Sequence, residues 1–161
     1  MKRFGGIGII MVAAVLLQAA PSVSARSSTA DVLNAANAAR AQHGLRPLRA
    51  SSALMQSAQM KAAEILRCNS FSHTPCGTAF VHTFQLSGYF RGRVRVGENL
   101  YWATGSLGSA AAAINAWLHS PPHRANLLGR WRDGGVGILH ADSLFGYHDV
   151  WLFVLEFGLR G

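Results

Sequence analysis

Two apolar runs rich in β-branched and aromatic residues, Gly134 to His140 and Val150 to Phe157, close this chain, and every segment with helical periodicity precedes them. Helices followed by strands predict an α+β domain in which helices pack on an antiparallel sheet. The polar, Gly-containing stretch from Ala141 to His148 reads as the turn region joining the two runs, and Val94 to Trp102 reads as a further strand or extended segment.

The helical part carries its own punctuation. Ser28 or Thr29 can cap a helix running to Gly44, where a left-handed stop is expected. Ser51 and Ser52 start a second helix, with Leu54, Ala58, Ala62 and Ile65 on one face. Thr78 to Ser87, ending at Gly88, predicts a third. A fourth is expected from about Leu107 to His119, with Ile114, Trp117 and Leu118 turned inward, and Pro121-Pro122 stops it because proline breaks the hydrogen-bond ladder.

Lys2 and Arg3, the apolar run Ile7 to Ala20 and the small-residue triplet Val23-Ser24-Ala25 have the pattern of a signal peptide. Residues 1–25 are therefore expected to be removed, leaving 26–161 as a single domain of a secreted or periplasmic protein. An uncleaved anchor is the alternative. No Cys follows the apolar run, which argues against a lipoprotein. Losing Lys2 and Arg3 lowers the formal net charge from +8 to about +6, nearly all of it arginine. That bias suits a lipid or an anionic cell-surface polymer as partner. The same charge can simply solubilise the protein. No nucleic-acid motif is present, and a monomer is expected.

Cys68 and Cys76 stand eight positions apart around His73. In an exported chain an even cysteine count reads as a disulfide, worth about 2.5 kcal/mol for so short a loop. Metal ligation by both thiols is the rival reading, but there is no CxxC spacing.

Three islands carry the candidate chemistry: Phe71-Ser72-His73, Gly97-Glu98-Asn99, and Trp117 to Asn126 with Ser120, Pro121, Pro122, His123 and Arg124. Two imidazoles and a carboxylate would suit a zinc site if the fold gathered them. Their spacing alone does not establish that, since no HExxH helix links them.

Taken in order, these islands resemble the CAP superfamily, the SCP-like domain of cysteine-rich secretory proteins, in its bacterial branch. The resemblance also rests on Asn37-x-x-Arg40-x-x-x-Gly44, Leu54-x-x-x-Ala58, Gly88-Tyr89, Asn126-Leu127-Leu128, Gly135-Val136-Gly137-Ile138 and Trp151…Phe157-Gly158. It implies an α-β-α sandwich with a central antiparallel sheet. It also implies a cleft in which His73 is the first imidazole, Glu98 the inward carboxylate and His123 the second imidazole. Together they would ligate a divalent metal such as zinc. Ser120 stands where the animal and plant pattern has a second Glu, which should weaken metal binding and leaves no carboxylate pair for glycosidase chemistry.

Arg124 and Asn126 read as loop-fixing groups, and Trp117 as core or cleft wall. His43, His82, His119, His140 and His148 read as surface residues. The resemblance does not settle the function, but no nucleophilic Ser or Cys sits in a recognisable catalytic motif, so a non-enzymatic binding module holding a metal, lipid or cell-surface ligand is the favoured expectation. Its alternatives are a zinc-dependent hydrolase using the same residues and an envelope protein with a vestigial cleft.

Overall fold

The computed structural model describes residues 27–161. The expected signal segment and its cleavage point after Ala25 lie outside them. No helix among the described residues is long and apolar enough to cross a membrane.

Helix α1, Thr29–Gln42, starts as expected: Ser28 caps it through a reciprocal pair, Asp31 N–H to Ser28 Oγ at 3.2 Å and Ser28 N–H to Asp31 Oδ2 at 2.7 Å. Such a cap is worth about 1 kcal/mol. The helix stops before Gly44, whose φ of +67° suits glycine. Strand β1, Arg49–Ala50, leads into α2, Ser52–Cys68, capped by Ser51. Leu54, Ala58, Ala62 and Ile65 of α2 are all fully buried, as their spacing predicts.

The third helix is shorter than expected. A 3-10 turn at Pro75–Gly77 precedes it, and α3 covers only His82–Leu86. Thr78 is extended instead of helical, its hydroxyl donating to Pro75 O at 2.8 Å. Strand β2, Val94–Thr104, follows. Helix α4, Ala110–His119, begins later than expected because Ser109 is its cap, accepting from Ala112 N–H at 3.2 Å. Pro121 both ends α4 and opens α5, Pro121–Leu127, since proline fits the first helical position and forces the residue before it, Ser120, to be extended.

Strands β3, Asp133–Leu144, and β4, Tyr147–Arg160, are longer than the apolar runs suggested. The expected turn region from Ala141 to His148 is mostly strand, and the turn itself is Phe145-Gly146, with φ of +56° and +82°. A two-residue turn of this hand matches the twist of the flanking strands. Phe145 and Tyr147 pack on Trp102 at 5.4 and 5.0 Å between ring centroids, which holds the extended hairpin down.

The sheet order is β1-β3-β4-β2. Its three long strands are antiparallel, as expected, but the two-residue β1 pairs parallel to β3, so the sheet is mixed. β4 runs through the middle and alternates its faces. Phe153, Leu155 and Phe157 join Val32, Ala36, Ile114 and Trp117 beneath α1 and α4. Leu152 and Val154 join Ala58, Ala62 and Ile65 of α2 on the opposite face. Each such buried side chain larger than alanine contributes about 1.5–3 kcal/mol. The result is helices on both faces of one sheet, an α-β-α sandwich.

Candidate functional site

β2 is an edge strand, and its side chains alternate in direction. Glu98 therefore points to the α2 face and Asn99 to the face that α5 covers. The Gly97-Glu98-Asn99 island divides its work by residue. A Cβ on Gly97 would lie 2.9 Å from the Trp131 ring, so glycine lets that indole press against β2. Asn99 Nδ2 donates to His123 O at 2.9 Å, and Asn126 Nδ2 donates to Glu98 O at 3.1 Å, tying α5 to the strand edge. Asn126 thus has the loop-fixing role expected of it.

Glu98 is buried, and its Oε1 accepts from His73 Nδ1 at 2.6 Å. The imidazole itself is half exposed. A carboxylate acceptor makes Nδ1 the donor of this bond and leaves Nε2 out of it. The loop bearing His73 is held twice more. Lys61 Nζ, fully buried on α2, donates to His73 O at 2.8 Å. The Cys68–Cys76 disulfide, with Cα atoms 5.5 Å apart, closes the loop around it. His123, the third residue of α5, has Nδ1 2.7 Å from Ser120 Oγ. Burial, and then the nearby charge of His73, push the His123 pKa down and favour the neutral imidazole.

Behind Glu98 lies a polar layer that sequence reasoning missed. Glu156 is the register partner of Glu98 on β4, fully buried, and accepts from Ser57 Oγ at 3.0 Å. Burial, and next the charge of Glu98, raise its pKa well above the ordinary range. Signals were present: Glu156 interrupts an apolar strand, and Lys61 falls on the apolar face of α2 beside Ala58, Ala62 and Ile65.

The raised pKa of Glu156 has a testable sign. The folded chain holds its proton at pH values where the unfolded chain releases it, so wild-type stability falls as pH rises above 4.5 toward the raised value. Glu156→Gln cannot titrate. Its stability relative to wild type, from urea unfolding, should improve steadily as pH rises from about 4.5 until the buried carboxyl ionises. A flat difference across that range would contradict the assignment.

The fold brings His73 and Glu98 into direct contact, sets His123 near enough to feel the charge of His73, and sets Ser120 against His123. Among the described residues no three His, Cys, Asp or Glu side chains gather at one point for a metal ion. Glu98 Oε1 is committed to His73, the arrangement of a carboxylate that orients a ligand from behind. The donors that suit a divalent ion are the two imidazoles. The buried Glu98 Oε2 has no hydrogen-bond partner among the described residues. Of the remaining histidines, His43 and His119 bond to backbone carbonyls within their own helices, His82 and His140 pair with Glu64 and Asp149, and His148 lies near Asp142 O.

Comparison with known proteins agrees with this fold. The chain matches no curated protein sequence significantly. Solved structures resemble it at low identity. An outer surface protein from Borrelia burgdorferi superposes with a TM-score of 0.67 at 21% identity, over 81% of this chain and 90% of that one. An extracellular protein containing an SCP domain from Bacillus anthracis gives 0.66 at 23%, over 82% of this chain and 40% of that one. A cysteine-rich secretory protein from Staphylococcus aureus gives 0.54 at 18%, over 80% of this chain and 38% of that one. The chain thus spans well under half the length of the latter two. The family model for cysteine-rich secretory proteins, CAP, matches residues 33–157, and the chain belongs to that family.

Proposed function

We propose that this protein is an exported binding module whose cleft, formed by His73, Glu98 and His123 with Ser120 alongside, takes a divalent cation such as zinc or a ligand presenting one. The observation that carries the reading is the buried Glu98 carboxylate, with one oxygen on His73 and the other unpartnered among the described residues, and a second imidazole, His123, near enough to His73 for the charge of His73 to lower its pKa. His73 and His123 would hold the ion, and Glu98 would orient His73 and offset the positive charge. Export is supported by the signal-like N-terminus and by structural neighbours described as extracellular or outer-surface proteins.

Calorimetric titration of zinc into metal-free protein tests this. Wild type should bind at neutral pH, and His73→Ala should lose binding. Glu98→Gln should weaken it by about tenfold, the cost typical of losing an orienting partner. Ser120→Glu should tighten it by adding a carboxylate beside His123. Affinity should fall at acid pH, because protons compete with the ion for imidazole nitrogens. No heat from wild type, or equal binding by His73→Ala, would refute the metal reading.

A further inference from the structure

Away from the cleft, a groove of about 640 Å³ opens between the loop Gly44–Arg49 and the loop Gly129–Arg132. Arg40, Arg46, Arg49, Arg130 and Arg132 line it together with Trp131. Only Arg49 has an acidic partner there, Asp133 at 3.1 Å, and Asp133 also accepts from Tyr89 Oη. Arg40, Arg46, Arg130 and Arg132 form no ion pair among the described residues. Residues 1–26 contain no Asp or Glu that could neutralise them.

Arg40 is the unusual member. It is 1% exposed, and its guanidinium donates only to backbone carbonyls: Arg46 O at 3.1 Å, Leu127 O at 2.7 Å and Gly129 O at 3.0 Å. Arginine keeps its charge in such a place, and an enclosed charge without a counter-ion is costly. The bonds from Arg40 also pin both loops that form the walls. Trp131 is pinned as well, donating from Nε1 to Asn126 O at 2.7 Å and stacking on Phe157 at 5.7 Å. The groove is therefore a rigid, positively charged concavity, with Leu45 and Pro47 supplying apolar surface.

Arg46, Arg130 and Arg132, exposed along one groove and in no ion pair among the described residues, match phosphate oxygens, which accept paired N–H bonds. The apolar wall suits the carbon skeleton that carries a phosphate. We propose that this groove is a second binding site, independent of the His73–Glu98 cleft, for the phosphate of an anionic headgroup of the glycerophosphate type. Such a headgroup can belong to a lipid surface or to a soluble molecule.

The experiment measures cosedimentation with phosphatidylglycerol–phosphatidylcholine vesicles and with pure phosphatidylcholine vesicles at about 0.15 M salt. Calorimetry with glycerol 3-phosphate runs alongside. Wild type should bind only the anionic vesicles, and glycerol 3-phosphate should displace it. The double variant Arg46→Ser, Arg130→Ser should bind at least about tenfold more weakly. Arg67→Glu, which lowers the charge by the same two units at the end of α2, should bind as wild type does. Binding of glycerol 3-phosphate without vesicle binding would keep the site and assign it a soluble ligand. Equal losses in the double variant and Arg67→Glu would reduce the effect to overall charge and overturn the proposal, as would failure to bind either probe. Urea unfolding of the double variant serves as the folding control, and the two sites stand or fall separately.

Discussion

Gly137→Ala is expected to cost this fold about 3 kcal/mol and roughly 10 °C in Tm, although it adds one methyl group. Gly137 lies on β3 where α2 crosses it, and a Cβ there would meet Ala58 O at 2.3 Å, Ala58 C at 2.4 Å and Gln59 N at 2.7 Å. These are backbone atoms of a helix, so no rotamer change can relieve the contact. The helix must lift away, and Ala58, Ala62 and Ile65 would then lose their packing on Leu152 and Val154. Gly135 stands in the same relation to Leu54 and Met55. Lifting α2 would also withdraw Ser57 from Glu156 and Lys61 from the His73 loop. Urea unfolding of the variant checks the magnitude, and a loss below about 1 kcal/mol would show that α2 does not sit so close to β3.

Cys76→Ala is expected to cost about 2–5 kcal/mol in oxidised protein and to loosen the loop that presents His73. The Cα separation of 5.5 Å lies in the usual disulfide range. With the bridge gone, Lys61 Nζ to His73 O and the His73–Glu98 bond would be the remaining ties on that imidazole. Zinc affinity should therefore fall together with stability, and reduction of wild type should reproduce both effects. Two free thiols in exported protein, or unchanged unfolding after reduction, would contradict the prediction.

Much of this was legible in the sequence where the cause is local. Ser28 and Ser51 cap the helices they precede, and Gly44 stops α1, because capping and left-handed backbone depend on neighbours in the chain. The face of Leu54, Ala58, Ala62 and Ile65 is buried because helical spacing alone aligns those side chains. The three islands, read in order, led to the family. Boundaries suffered where long-range contacts decide. Thr78 to Val81 stayed out of α3 in the shadow of the disulfide turn, and the β3–β4 hairpin extended to Phe145-Gly146 under the cover of Trp102.

What the sequence by itself determined, then, is which segments become helices and strands and which residues can bear chemistry, because periodicity, caps and side-chain type act over a few residues. Only the tertiary structure decided that Glu98 engages His73 directly, that Glu98 and Glu156 stand opposite each other across two strands, and that Lys61 secures the His73 loop from within. It alone drew arginines from α1, the loop before β1 and the loop before β3 into one groove. Contacts between segments far apart in the chain depend on strand register and on how closely α2 lies against β3, and no local pattern of residues encodes either.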